Sequence, residues 1–119
     1  MYPDLVRRFV SAGSELLTTI TNDAWFGATS APYQHFAQAS MRAVENGRFL
    51  VRAANTGISG IVDPYGRIIA QSRLYEPAVV VSDVRFLRFS TVYARIGDRF
   101  AYASVIATLA MLVAARRRR

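Results

Sequence analysis

The chain has 119 residues, of which 52% are hydrophobic and 19% are charged, so disorder along its whole length is excluded. It contains no cysteine, which excludes disulfides, thiolate metal sites and a cysteine nucleophile among these residues. The net charge of +7 falls to +3 without the four arginines at positions 116–119, and no nucleic-acid-binding motif accompanies the remaining charges. We therefore expect no nucleic-acid partner.

The N-terminal region predicts a helix followed by a buried strand. Pro3 suits the first turn of a helix, Asp4 favours the positive end of its dipole, and apolar residues recur at helical spacing as far as Ser11. Gly13 is expected to stop this helix. The apolar and β-branched run at 16–21 then predicts a strand that is buried in a sheet.

The next segment predicts a loop and a second helix. Glycine, serine and proline at positions 27, 30 and 32 indicate that 22–32 is a loop. From 33 to about 47, apolar and polar residues recur at helical spacing, so this stretch predicts an amphipathic helix. The loop therefore follows a strand and precedes a helix, which is where α/β enzymes tend to build their sites.

Three or four strands are predicted to follow, at 49–54, 59–62, 67–71 and 78–84. Between the second and third of these, residues 63–66 read Asp-Pro-Tyr-Gly, with proline and glycine where turn geometry needs them. This turn predicts a hairpin. Residues 85–98 are weakly patterned and are expected to form a linker.

The C-terminal segment at 100–115 holds 16 uncharged residues. As a helix it would span about 24 Å, somewhat less than the roughly 30 Å of a bilayer core. It is interpreted either as a buried C-terminal helix or as a transmembrane helix. Its apolar surface on all sides, the arginines that follow it and the aromatic residues at its start favour the membrane, with the arginines in the cytoplasm.

The loop after the first strand carries the candidate binding residues. Asn22 and Asp23 come at the carboxyl end of that strand, where open α/β sheets bind ligands, and Asp23 could fix loop amides or orient a cation. Trp25 and Phe26 could wall a pocket for an acyl chain or another apolar group. The alternative is a structural turn in which Trp25 is buried as an anchor, and the residues alone leave both interpretations open.

Other polar residues are less informative. His35 is the only histidine, and without a triad or a metal cluster we expect it to hydrogen-bond a neighbouring loop. Arg42 and Glu45 are expected to form a pair on the helix surface. Arg52 and Asn55, at a strand end, could line a site or satisfy backbone groups, and both alternatives stay open.

An ordered set of motifs resembles the C-terminal part of the nitrilase-like domain of the apolipoprotein N-acyltransferases, within the carbon–nitrogen hydrolase superfamily. The resemblance covers essentially the whole chain, and the order of the motifs is more specific than any one of them. The motifs are Tyr2-Pro3-Asp4-Leu5-Val6-Arg7, Thr21-Asn22-Asp23-Ala24-Trp25-Phe26-Gly27, Ala31-Pro32-Tyr33-Gln34-His35, Arg42-Ala43-Val44-Glu45-Asn46, Val51-Arg52-Ala53-Ala54-Asn55-Thr56-Gly57-Ile58-Ser59, Asp63-Pro64-Tyr65-Gly66-Arg67 and Tyr93-Ala94-Arg95-Ile96-Gly97-Asp98.

The resemblance implies an α/β fold: the C-terminal part of a nitrilase-like αββα sandwich, followed by one transmembrane helix. It implies a partial carbon–nitrogen hydrolase domain at 1–84, a linker at 85–98, a membrane helix at 99–115 and a basic cytoplasmic tail at 116–119. The domain would face the periplasm at the bacterial inner membrane. No metal or organic cofactor is expected.

The family activity implied is acyl transfer from a phospholipid to the N-terminal amine of a diacylglyceryl-cysteine lipoprotein, through a cysteine thioester. In the family, the cysteine lies in a Cys-Tyr-Glu segment just before the Tyr2–Arg7 match, and the glutamate base and lysine lie further upstream. No catalytic residue is therefore assigned to this chain. Trp25, with Asn22, Asp23 and Phe26 around it, is the substrate-binding wall that the resemblance implies.

Three further expectations follow from this resemblance. The chain alone is predicted to be inactive, and the missing N-terminal half of the enzyme is a candidate partner. Half a sandwich would leave an apolar sheet face and an open edge, so poor solubility is predicted for the isolated chain. The alternatives are a non-catalytic, membrane-anchored module that binds lipid or a partner, and a fragment of a soluble carbon–nitrogen hydrolase.

Overall fold

The computed structural model describes residues 1–117 as a mixed α/β fold, which confirms the predicted fold class. The helices are α1 (Pro3–Ser11), α2 (Ala31–Asn46), α3 (Val92–Ile96) and α4 (Arg99–Arg117). The strands are β1 (Leu17–Asn22), β2 (Leu50–Asn55), β3 (Gly60–Val62) and β4 (Ile68–Gln71). The bounds of α1, β1 and the next three strands lie within two residues of those predicted from the sequence.

Helix α2 begins two residues earlier than predicted because Pro32 fits the first turn of a helix, where its missing amide hydrogen is not needed. The helix ends where it was predicted to end. Gly47 adopts a left-handed conformation with φ of 62°, and its amide hydrogen-bonds back to the last turn. The length of α2 carries the chain from the end of β1 to the start of β2, as a parallel strand pair requires.

The four strands form one sheet in the order β1-β2-β3-β4. Strands β1 and β2 are parallel, and Asn22 and Asn55 are partners in their register. The pairs β2–β3 and β3–β4 are antiparallel, so the predicted hairpin at 63–66 is confirmed. Because parallel strands end at the same edge of a sheet, the residues after β1 and β2 are brought together.

The hydrophobic core lies between the sheet and the two longer N-terminal helices. Its members share almost complete burial: Val6, Val10, Leu17, Phe36, Ala39, Ala43, Leu50, Ile58 and Val62. Apolar side chains elsewhere on the sheet are left in solvent, and Ile20 of β1 is 89% exposed. Among residues 1–117, β1 and β4 are the two edges of the sheet. The described fold is thus one helical layer against one sheet.

The strand predicted at 78–84 is wrong. The segment 78–84 is extended but pairs with no strand in the part of the chain that the structure describes, and Val79 is 92% exposed. β-Branched residues favour a strand, but a strand forms only where a neighbouring edge supplies hydrogen-bond partners. Residues 85–98, expected to connect the domain to α4, include the short helix α3. The Thr91 hydroxyl caps that helix by accepting a hydrogen bond from the Ala94 amide at 2.9 Å.

Helix α4 is exposed along its whole described length. It is long and apolar enough to cross a membrane by length and composition. Its 19 residues correspond to about 28 Å, close to the thickness of a bilayer core. Residues 118 and 119 of the expected basic tail lie outside the described residues.

Candidate functional site

The Trp25 loop (residues 22–27) leaves the sheet at the carboxyl end of β1 as a tight 3₁₀ turn. The backbone amide of Asp23 still donates to the carbonyl of Asn55 at 3.1 Å, which continues the β1–β2 ladder by one bond. The Asn22 side chain then accepts from the Ala24 amide at 3.0 Å, and the Phe26 amide donates to the Asp23 carbonyl at 3.1 Å. Asn22 therefore caps the turn as well as closing the strand.

Trp25 projects from this loop with 81% of its surface exposed. Its only hydrogen bond in the described structure runs from Nε1 to the Asn22 carbonyl at 2.8 Å. The interpretation of Trp25 as a buried anchor is therefore wrong. Phe26 is partly exposed, and its ring meets the His35 ring edge-on, with centroids 5.8 Å apart at an angle of 75°.

Asp23 lies beneath the loop with only 1% of its surface exposed. Its Oδ2 accepts a hydrogen bond from Arg52 Nη2 at 2.8 Å, and its Oδ1 lies 2.9 Å from His35 Nδ1. The hydroxyl of Thr21 lies 3.4 Å from the same Oδ1. The carboxylate therefore orients a cation, as one of the sequence interpretations held, and its oxygens face protein groups rather than solvent.

Arg52 is the cation that Asp23 holds, and the side chains of both residues are fully buried. Arg52 Nε donates to the carbonyl of Ile58 at 3.1 Å, so one guanidinium joins the end of β1 to the segment that precedes β3. Burial lowers the pKa of Arg52, although the charge and hydrogen bond of Asp23 act in the opposite direction. Its Nη1 is buried without a hydrogen-bond partner among residues 1–117.

His35 makes the loop contact that the sequence predicted for it. Its Nδ1 also lies 3.3 Å from Arg52 Nη2, so the imidazole, the carboxylate and the guanidinium form one cluster. The cluster is completed by Gly57, where a Cβ atom would lie 2.3 Å from Asp23 Oδ2. Glycine is required at this position because the buried carboxylate occupies the space of a side chain.

The structure also gives the contacts of the remaining polar residues. Arg52 satisfies a backbone carbonyl and contacts Asp23 of the Trp25 loop, while Asn55 lies beside Asn22 with a contact of 3.4 Å between their side chains. The pair of Arg42 and Glu45 does not lie on the helix surface, since Arg42 is only 8% exposed. Arg42 Nη2 contacts Glu45 Oε1 at 2.5 Å, within a half-buried layer that a helical repeat alone does not reveal.

The start of α1 lies next to this arginine-rich layer. Arg42 Nη1 donates to the carbonyl of Met1 at 3.3 Å, and Met1 packs against the hydrophobic core. The start of α1 therefore lies against Arg42, the residue that also contacts Glu45.

A cleft of about 370 Å³ opens beside the carboxyl end of β2, lined mainly by residues 54–57 and 75–78. Asn22, Asp23, Trp25 and Phe26 are not among its lining residues. In residues 1–117 no group of three or more histidine, aspartate and glutamate side chains is arranged to hold a metal ion.

Sequence reasoning identified Asn22, Asp23, Trp25 and Phe26 but did not connect Arg52 to them. The signal that could have done so is the two-residue repeat of β2. Leu50 and Arg52 lie on the same face of that strand, so a charge falls at a core position. A buried charge needs a buried partner, and the nearest carboxylate after the neighbouring strand is Asp23.

A family model described as carbon–nitrogen hydrolase matches residues 1–92. The chain belongs to the carbon–nitrogen hydrolase family. It is 48% identical over 119 residues to the apolipoprotein N-acyltransferase of Geobacter metallireducens, a match that covers 100% of this chain and 23% of that protein. It is 41% identical over 117 residues to that of Thermotoga maritima, covering 98% of this chain and 23% of that protein.

Among solved structures, this family member is similar to an amidase of Nesterenkonia AN1 from the nitrilase superfamily. The TM-score is 0.50 at 28% sequence identity, and the match covers 65% of this chain and 31% of that chain. The described fold is therefore a nitrilase-type fold. The chain spans less than a quarter of the length of the two curated relatives named above.

Proposed function

We propose that this chain is part of an apolipoprotein N-acyltransferase, which moves an acyl chain from a phospholipid to the N-terminal amine of a lipidated lipoprotein. The observation that carries the proposal is the 48% identity to such an enzyme along all 119 residues. The alignment to this enzyme extends through residues 93–119, beyond the match to the general carbon–nitrogen hydrolase family at 1–92. The specific relatives therefore support more than the family alone.

The chemistry proposed is a two-step acyl transfer. A cysteine thiolate attacks the ester carbonyl of the phospholipid, so that a thioester forms and a lysophospholipid leaves. The amine of the acceptor then attacks the thioester, forming an amide and releasing the thiol, while a base accepts the amine proton. This chain contains no cysteine, so the nucleophile, its base and the lysine would come from residues outside it, and the chain alone would be inactive.

In this proposal the Trp25 loop is the wall against which the acyl donor lies. Trp25 supplies a large exposed apolar surface, Phe26 extends it, and Asn22 caps the turn that presents them. Asp23 contributes from beneath, by holding the loop to the sheet, because its oxygens are occupied by protein groups. In this proposal the nucleophile-bearing segment joins the chain at Met1, whose carbonyl accepts a hydrogen bond from Arg42.

The membrane arrangement is proposed as well: a domain at 1–84 facing the periplasm, a connecting segment at 85–98, a membrane helix at 99–115 and a cytoplasmic tail. The exposed apolar surface of α4 supports insertion, and the arginines at its end support a cytoplasmic C-terminus. Extraction of membranes with alkaline carbonate tests the insertion. The chain should stay in the membrane pellet, and its release to the supernatant would contradict the proposal.

The activity is tested with the in-frame protein, meaning the whole polypeptide encoded by the reading frame that contains this chain. The DNA before Met1 is read first, and a Cys-Tyr-Glu segment is expected there. The purified in-frame protein is then incubated with phospholipid labelled in its acyl chain and a diacylglyceryl lipopeptide. We expect label in an amide on the lipopeptide, and none when the 119-residue chain is used alone. Labelling by the chain alone, or none by an in-frame protein that carries the cysteine, would contradict the proposal.

A non-catalytic, membrane-anchored binding module is the second candidate, and the exposure of Trp25 favours it because a large free apolar side chain suits lipid contact. It predicts a different upstream sequence. A stop codon and a ribosome-binding site directly before Met1, with binding of the chain to vesicles that is lost in Trp25→Ala, would support the module over the enzyme.

A further inference from the structure

Trp25 is held in place by its neighbours rather than by its own packing. The side chain is 81% exposed, so contacts around the indole ring do little to fix its position. Apart from the hydrogen bond from its Nε1 to the Asn22 carbonyl, its position depends on nearby loop residues: Asp23, two positions earlier, is buried and bound, and Phe26, the next residue, meets the His35 ring. The contacts that hold Asp23 and Phe26 therefore determine the position of the Trp25 indole.

We infer that Asp23, Arg52 and His35 form a positioning network that fixes the Trp25 loop on the sheet. Arg52 is the centre of this network. With Nε on the Ile58 carbonyl and Nη2 on Asp23, it ties the end of β1 to the segment before β3. Its planar fork makes both contacts at once, which the single ammonium of a lysine cannot do in the same geometry.

His35 adds the second attachment. Its Nδ1 lies 2.9 Å from the Asp23 carboxylate, and its ring packs against the Phe26 ring in an edge-on arrangement. One side chain of α2 therefore contacts Asp23, two residues before Trp25, and Phe26, the residue after Trp25. The loop is thus fixed at both ends to elements of the core, one through a buried ion pair and the other through an aromatic pair.

The consequence for catalysis rests on the proposed function, because only then does the indole border the acyl donor. Displacement of a substrate-positioning group by about 1 Å can cost on the order of 100-fold in rate. We therefore expect Arg52→Lys to lower the rate of thioester formation by about 10- to 100-fold. Arg52 is a positioning residue in this account, since it reaches the substrate only through the loop.

The chain offers a matched control in Arg48. It is also 3% exposed, and it donates to the carbonyls of Ser14, Asn46, Gly47 and Phe89 at the opposite end of β2. Burial lowers its pKa as it does that of Arg52. Arg48→Lys removes a buried guanidinium group that does not contact the Trp25 loop. It therefore measures the general effect of replacing a buried arginine by lysine.

The test uses the in-frame protein labelled with 5-fluorotryptophan, and the ¹⁹F resonance of Trp25 is identified by its loss in Trp25→Phe. We expect Arg52→Lys to shift or broaden this resonance and Arg48→Lys to leave it unchanged. His35→Gln is the second variant, because it can keep a hydrogen bond to Asp23 but loses the ring contact with Phe26. It should also shift the resonance, and it serves as the test if Arg52→Lys does not fold.

An unchanged Trp25 resonance in folded Arg52→Lys and in His35→Gln would overturn the positioning network, as would an equal change in Arg48→Lys. A shifted resonance without slower thioester formation has a different meaning. It would leave the network intact and would contradict the proposed function of Trp25 as the wall of the acyl site. The two failures are therefore distinguishable.

Discussion

The close approach of Gly57 to Asp23 allows a sharp test that changes no charge. A Cβ atom at position 57 would lie 2.3 Å from Asp23 Oδ2 and 2.8 Å from Asp23 Cβ and Cγ. Ordinary contact begins at 3.4 Å, so Gly57→Ala requires a displacement of about 1 Å. Gly57 does not have a positive φ, so the effect of alanine is steric and not a matter of backbone preference.

The free-energy cost of Gly57→Ala depends on whether the surrounding backbone or the Asp23 side chain moves. If the surrounding backbone relaxes and the ion pair survives, overpacking costs about 1–3 kcal/mol. If Asp23 moves by about 1 Å, its 2.8 Å bond to Arg52 is broken and a buried guanidinium is left without its partner, which costs about 3–5 kcal/mol. Because Asp23 is confined by Arg52 and His35, we expect a local cost of about 3 kcal/mol, which corresponds to roughly a 100-fold change in an opening equilibrium.

Hydrogen exchange of the in-frame protein measures this local cost. The reporters are the amides of Asp23 and Phe26, which donate to the carbonyls of Asn55 and Asp23. Gly57→Ala should accelerate their exchange by about 100-fold, while the β3–β4 hairpin exchanges at its usual rate. In an Asp23→Gly background the clash is absent, so Gly57→Ala should add little. Acceleration below about threefold, or equal acceleration in the hairpin, would refute the reasoning.

Three other predictions concern the remainder of the chain. Burial alone would raise the pKa of Asp63, but hydrogen bonds from Arg67 and Tyr65 lower it overall. Its contribution to stability is therefore fully present above the unfolded pKa of about 3.9 and is lost as the pH falls through the lower folded pKa. Asp63→Asn should lower the midpoint of thermal unfolding at pH 7, and this effect should become smaller as the pH falls below about 3.9. Thr91→Ala should destabilise α3 by about 1 kcal/mol through loss of its cap, seen as faster hydrogen exchange at 92–96. Leu109→Asp, near the centre of α4, should weaken membrane insertion by about 3 kcal/mol and release more of the chain in carbonate.

Each of these changes has a control in the same chain. Asp83→Asn neutralises an exposed carboxylate and should leave the unfolding midpoint at pH 7 nearly unchanged; a decrease equal to that of Asp63→Asn would contradict the role of Asp63. Thr91→Ser keeps the capping oxygen and should behave like the unchanged protein, so slow exchange in both Thr91 variants would argue against the cap. Leu109→Ala keeps the helix apolar, and equal carbonate release from both Leu109 variants would contradict insertion.

The order of elements could be predicted from the sequence because its signals are local. Pro3 marks the first turn of a helix, Gly47 ends another, and the turn at 63–66 joins two strands, each through the conformations of a few neighbouring residues. The segment 78–84 has the composition of a strand, but whether it pairs depends on a sheet edge elsewhere in the fold. That information is not local, and the prediction failed there.

The candidate site likewise has a part that is local in the sequence and a part that depends on the fold. Asn22, Trp25 and Phe26 are adjacent in the chain, so their loop is recognisable as a unit. The support for that loop comes from Arg52 on the next strand and His35 on the helix between them, and only the register of β1 with β2 brings these residues to Asp23. The burial of Arg42 beside Met1 likewise arises from packing between helices, which the spacing of Arg42 and Glu45 does not reveal.

The account depends most directly on Trp25 acting at the acyl site without supporting the fold. Single-turnover formation of the thioester, measured with labelled phospholipid on the in-frame protein and on Trp25→Ala, tests this claim. Because the indole is 81% exposed, the substitution should change the free energy of unfolding by no more than about 0.5 kcal/mol. We expect thioester formation to slow at least 10-fold while the unfolding midpoint is unchanged. Thioester formation at the unaltered rate in a folded Trp25→Ala protein would contradict the account.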